Sequence, residues 1–234
     1  MRRILTFILA LALILALTPA FASVELKGFD KDAGYTYVAF GQYPQDKDGG
    51  VQPIIWRVLS VNGNEAYLLS DAILEVSRIH NVAQGYPGWE KADLNAWLQK
   101  EFVEKAFMPS AHTALLEKDY GRVSLPSYDD LKNKDFGFTD NMSRRALGTM
   151  YADEEGLFYY RHKGHSPYWT RTPSVKKFAH RSIKLEGNLG YLGVTAVDMG
   201  VRPVITLNLD LLQSPGGTGS IEDPIVLEAL AKSE

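Results

Sequence analysis

The sequence predicts an α+β chain, mainly antiparallel sheet, with two or three helices packed on one side. Three observations predict it: two strand-like runs joined by Asn62-Gly63, a helical period in the middle of the chain, and strand-forming runs in the last third. Strands at both ends around a helical middle favour one α+β domain at 35–230, preceded by a leader at 1–22 and a lead-in at 23–34.

The leader opens with Arg2 and Arg3. An apolar run follows at 4–17, interrupted only by Thr6, and Ala20-Phe21-Ala22 places small residues where a signal peptidase reads them. This is the layout of a secretory signal peptide. The run is shorter than the ~20 residues that span a bilayer. The expectation is an extracellular protein starting at Ser23, with no stable membrane insertion after cleavage. An uncleaved anchor is the alternative.

The lead-in is polar, and 35–40 (Y-T-Y-V-A-F) reads as a strand. Breakers make 41–53 a loop. Residues 54–61 (I-I-W-R-V-L-S-V) and 65–69 (E-A-Y-L-L) flank Asn62-Gly63, and a type I′ turn takes positive φ at both of those residues. Leu94, Trp97, Leu98, Phe102 and Ala106 share one face of a helix over 93–107, with Asp93 as N-cap and Pro109 as stop. A short helix at 110–117 and another at 128–134 follow. The second starts at the capping-box pair Ser127 and Asp130. Residues 135–164 read as a long loop. Residues 181–185 and 191–196 flank a second hairpin signal, Glu186-Gly187-Asn188. Residues 201–209 read as one strand whose Pro203 belongs near a strand start or on an edge. Residues 214–219 read as a turn, and 225–230 as a last strand that pairs with the first.

Composition excludes several functions. The 234 residues carry a formal charge of −3, and the leader removes two positive charges, so there is no basic footprint for nucleic acid. The chain has no cysteine, hence no disulfide frame, thiol nucleophile or thiolate metal site. A core must supply the stability, and 45% hydrophobic and 11% aromatic residues can build one.

Six segments taken in order resemble a family of bacterial secreted and surface domains of unknown function. They are Phe40-Gly41-Gln42-Tyr43-Pro44, Ile55-Trp56-Arg57-Val58-Leu59, Asp93-Leu94-Asn95-Ala96-Trp97-Leu98, Val123-Ser124-Leu125-Pro126-Ser127, Tyr168-Trp169-Thr170-Arg171-Thr172-Pro173 and Gly200-Val201-Arg202-Pro203. That family is distantly similar to the C-type-lectin-like fold, which includes the sulfatase-modifying proteins. The resemblance implies that fold, with W-x-R and G-x-R segments as core marks and ligand contacts on nearby loops. Sulfatase-modifying chemistry depends on cysteine and is excluded here.

Residues 158–171 interleave aromatics with cations. Aromatic faces stack on sugar rings, and cations pair with carboxylates. Tyr159, Tyr160, Arg161, His162, Tyr168, Trp169 and Arg171 are therefore the candidate ligand-binding residues, with core packing the competing role for Tyr168 and Trp169. Trp56, Arg57, Trp97 and Arg202 are structural candidates. Arg202 in an apolar run must find loop carbonyls or a carboxylate such as Asp198, or else bind an anion. Asp46-Lys47-Asp48-Gly49-Gly50 fails as an EF-hand, because Val51 and Arg57 stand where glycine and glutamate are required. Neither H-E-x-x-H nor G-x-S-x-G occurs. No metal site and no cofactor are expected.

The reading is a secreted, non-enzymatic recognition domain for an extracellular glycan, peptide or surface protein. One alternative is an extracellular hydrolase using acids such as Asp129-Asp130 or Asp153-Glu154-Glu155. Another is an architectural interaction domain.

Overall fold

The structure is a computed structural model that describes residues 24–159 and 164–230. In chain order its first strands are β1 (Tyr37–Pro44), β2 (Val51–Asn62), β3 (Glu65–Ser70), β4 (Glu75–Val76), β5 (Val123–Ser124) and β6 (Tyr168–Pro173). The rest are β7 (Ala179–Ile183), β8 (Leu189–Gly193), β9 (Gly200–Val201), β10 (Val204–Asn208), β11 (Leu212–Gly216) and β12 (Ile225–Ala229). Helices α1 (Asp93–Trp97), α2 (Val103–Ala106) and α3 (Met150–Glu154) join several short 3₁₀ turns.

The strands form two mixed sheets: a seven-stranded one ordered β11-β12-β1-β2-β3-β10-β5 and a five-stranded one ordered β4-β9-β6-β7-β8. Neither closes into a barrel. Most pairs are antiparallel; β1–β12 and β6–β9 are parallel. The α+β class holds, with one main helical element in place of two or three. That element is α1 and α2 joined by a π-helical turn at Leu98–Phe102. It buries Leu94, Leu98, Phe102 and Ala106, while Trp97 packs partly buried against the same core. Among the described residues no helix is long and apolar enough to cross a membrane.

The large sheet sits between two hydrophobic clusters, and side-chain alternation along its strands explains why. Trp56 and Val58 of β2, Ala66 and Leu68 of β3, and Ile205 and Leu207 of β10 face the cluster under the main helix. Leu69 of β3 and Val204 of β10 face the other cluster, with Ile73, Phe138, Tyr168 and Ile183. Register shifts between Val58 and Ser60, which turns Leu59 to this second side.

The first hairpin forms with a different turn. Asn62 pairs with Glu65 in the ladder, so Gly63 and Asn64 make the loop. Gly63 takes φ 60, and Asn64 does not take positive φ. Positive φ at the first loop position alone is the type II′ pattern, which favours glycine there. The β7–β8 hairpin and the terminal pairing of β1 with β12 also form.

Elsewhere the boundaries move. The predicted loop at 41–53 shrinks, because β1 runs to Pro44 and β2 begins at Val51. The single strand expected at 201–209 is two: β9 lies in the small sheet, β10 in the large one, and Arg202-Pro203 crosses between them. Pro203 stands just before β10, where its missing N–H removes no ladder bond. The reciprocal capping box forms: Asp130 N–H donates to Ser127 Oγ at 2.9 Å, and Ser127 N–H to Asp130 Oδ2 at 2.7 Å. It caps only a 3₁₀ turn, Asp130–Lys132. Asp93 is not the N-cap of its helix; Ala92 is, and the Asp93 carboxylate instead accepts from Asn81 N–H and pairs with His80 at 3.0 Å. Helix α3, capped by the Thr149 side chain, occupies part of the expected loop at 135–164. Strand β11 likewise occupies part of the expected turn at 214–219.

Candidate functional site

The predicted ligand segment divides. Tyr160, Arg161 and His162 lie outside the described residues, as does the predicted signal peptide. Tyr159 is exposed. Tyr168 and Trp169 are fully buried, which removes them from any surface site. They point to opposite sides of β6: Tyr168 into the cluster between the sheets, Trp169 into the cluster with the main helix. The Trp169 indole N–H donates to the Ser77 carbonyl at 2.8 Å, and the Tyr168 hydroxyl to the Arg144 carbonyl at 2.7 Å. Large aromatic area near a sheet centre is worth more buried than exposed. Trp56 is likewise core, with its indole N–H on the Phe40 carbonyl at 2.8 Å.

Arg171 does reach a surface site. It lines a cleft of about 290 Å³ on the open part of the large sheet, together with Tyr67, Tyr120, Asp130, Glu65 and Lys118. Strand alternation puts Glu65 and Tyr67 of β3 on the side of buried Leu69, and Thr206 of β10 on the side of buried Val204. Beyond those apolar residues the sheet face becomes polar and open. Paired backbone bonds between Lys118 and Gly121 close a turn that presents Tyr120.

The centre of the cleft is a charged network. Arg171 Nη1 donates to the Leu125 carbonyl at 2.7 Å, to Asp130 Oδ2 at 3.2 Å and to the Tyr67 hydroxyl at 3.3 Å. The Tyr67 hydroxyl donates to the same Asp130 oxygen at 2.8 Å. With Ser127 N–H, three donors converge on Oδ2, and none of them uses Oδ1. Burial pushes the Tyr67 hydroxyl well above its usual pKa, and the Asp130 carboxylate adds to that. Burial works against the Arg171 charge, but the Tyr67 and Asp130 oxygens more than offset it and raise its proton affinity.

The rim repeats the balance. Lys118 Nζ pairs with Glu65 Oε2 at 2.6 Å, and the Tyr120 hydroxyl meets Thr206 Oγ1 at 3.2 Å. Two cations and two anions leave the cleft close to neutral, with two tyrosine rings and several hydroxyl and amide groups on its walls. Such a surface fits an uncharged, hydroxyl-rich ligand better than a polyanion.

Other sequence candidates resolve simply. Asp129 is exposed and pairs with Lys132 at 2.7 Å, so adjacent Asp129 and Asp130 do not form a catalytic pair. Asp153, Glu154 and Glu155 are all exposed. Asp46 Oδ1 accepts from Asp48 N–H and Gly50 N–H, a self-contained turn. Arg202 does not pair with Asp198; its Nε donates to the Ser70 carbonyl at 2.8 Å. Arg57 pairs with Asp71 at 2.5 Å.

Tyr67, Tyr120, Glu65 and Lys118 were not singled out from sequence. The period-two order Glu65-Ala66-Tyr67-Leu68 held the signal for two of them, because it places Glu65 and Tyr67 on one strand face. Nothing local marked Tyr120, which arrives through a turn far along the chain.

No family model matches the chain, and neither a curated protein nor a solved structure is similar to it at a significant level.

Proposed function

We propose that this chain is an exported, non-enzymatic recognition domain that binds a neutral saccharide in the Arg171 cleft. The observation that carries the reading is the charge-balanced cleft itself, in which the Arg171–Asp130–Tyr67 network holds the walls while Tyr120 offers a ring face at the rim. Groups fixed before binding lose little entropy when a ligand arrives. Asp130 Oδ1 and the amide of Asn62 are suited to ligand hydroxyls. The volume is at the small end for a ligand pocket, suited to one or two sugar rings.

The export signal in the sequence supports an extracellular ligand. Burial of Trp56 and Arg202 supports the C-type-lectin-like reading, in which their segments are core marks. A glycan array probed with the secreted protein tests the function. Tyr120→Ala and Asn62→Ala should each weaken the strongest signals about tenfold, the loss of one stacking or hydrogen-bonding contact. Unchanged signals in both folded variants would move the site elsewhere.

A carboxylate-dependent hydrolase is a second reading, because Glu65 and Asp130 both line the cleft. Each acid is already engaged by a cation, which argues for orientation rather than proton transfer. Release of reducing ends from polysaccharides, abolished by Asp130→Asn, would favour this reading instead.

A further inference from the structure

A second cavity, of about 570 Å³, is lined by Arg57, Asp71, Tyr35, Ser143, Arg145 and His165, with smaller residues between them. It shares no residue with the Arg171 cleft. Its neighbourhood is rich in guanidinium groups and poor in carboxylates.

Arg57 pairs with Asp71 at 2.5 Å, and its guanidinium carbon stands 5.1 Å from the Tyr35 ring centre. Arg145 pairs with Glu186 at 2.8 Å. Behind this wall lie two buried arginines held by neutral acceptors. Arg144 donates to the carbonyls of Gly187 and Leu131 and to the Asn141 side chain. Arg202 donates to the Ser70 carbonyl and, at 3.4 Å, to the Tyr168 hydroxyl. Its Nη2 is buried without a hydrogen-bond partner, and among the described residues no carboxylate comes within ion-pair distance of it. Asp140, the further acid near Arg144, is exposed and turned to Ser143. Four guanidiniums are thus directly paired with two carboxylates.

A buried cation without a counter-charge is costly, and its own groups cannot relieve it here. Asp71 is the acid closest in effect to both Arg57 and Arg202. A second anion in the cavity would complete what Asp71 starts. We propose that this cavity binds a small oxyanion of the carboxylate or phosphate type, with Arg57 as its direct partner and Arg202 supplying charge from behind.

The test titrates the mature chain with sodium glucuronate and, separately, with sodium phosphate, by calorimetry and by thermal shift against sodium chloride at matched ionic strength. One of the two should bind saturably, and the one that does names the source of the anion. Arg57→Gln should weaken it by about tenfold or more, the loss of a charge-assisted bond. Asp71→Asn should tighten it, because Arg57 Nε is then released to the ligand. Opposite signs cannot both come from loss of stability, and Arg145→Gln serves if Arg57→Gln does not fold. Tyr120→Ala should leave the binding unchanged, which separates this cavity from the saccharide cleft. The proposal is overturned if neither anion exceeds chloride, or if Asp71→Asn weakens binding as Arg57→Gln does.

Discussion

Arg171 holds its guanidinium carbon 4.3 Å from the centre of the Tyr120 ring. This contact ties β6 of the small sheet to the turn at 118–121 beside the large one. The same guanidinium anchors Asp130 and Tyr67, so one side chain joins three separate stretches of chain.

Arg171→Ala removes the partner of a largely buried carboxylate. It should cost about 1–3 kcal/mol in urea unfolding, the penalty for an unsatisfied charged group. Arg171→Lys should recover only part of this, because one ammonium cannot reproduce the planar fork over Tyr120. Full stability in both variants would show that the network does not hold the cleft.

His180 makes the fold acid-sensitive. Its Nε2 meets the Thr170 carbonyl at 3.0 Å, which only accepts, so Nε2 carries the proton and Nδ1 accepts from the Tyr86 hydroxyl at 3.0 Å. Burial lowers its pKa from 6.5 to about 4, partly countered by backbone bonds at Thr170 and Arg171. The unfolded chain therefore takes the proton first as the pH falls. Stability present above pH 6.5 is lost on the way down to about pH 4, by roughly 3 kcal/mol at most. Melting curves between pH 7.5 and 4 should show a smaller acid loss in His180→Gln; an equal loss would place the sensitivity elsewhere.

Trp169→Ala should destabilise by about 3–5 kcal/mol, the range for a fully buried large aromatic. The Ser77 carbonyl also loses its donor. Chemical denaturation measures this, and a loss below about 1 kcal/mol would contradict the core position of Trp169.

Gly41 explains part of the Phe40–Pro44 motif. It takes φ 71 in a bulge of β1, and a Cβ there would lie 2.6 Å from Phe107 Cε1 and 2.7 Å from the Ala106 carbonyl. Gly41→Ala should cost about 2 kcal/mol or more, from backbone strain and overpacking together. A melting temperature equal to wild type would contradict this close approach.

The hairpins, the main helix and the terminal pairing were legible because each rests on local periodicity or turn chemistry. Ile54 to Leu69 alternates visibly, and Leu94 to Ala106 keeps a helical face. The break at Arg202-Pro203 was hidden, since apolar residues continue through it and only the two-sheet topology separates Val201 from Val204. In the aromatic-basic segment, composition alone could not distinguish Trp169 from Arg171. Burial follows from β6 lying inside a sheet, and that pairing is long-range. The cleft itself assembles residues from four distant stretches, so no local pattern announced it.

Chemical-shift mapping tests the central proposal most directly. A saccharide chosen from the array, titrated into ¹⁵N-labelled protein, should perturb the amides of Asn62, Tyr67, Tyr120 and Thr206 saturably, and Tyr120→Ala should weaken the response. Saturable shifts confined to other surfaces, or none at all with every array-positive sugar, would contradict it.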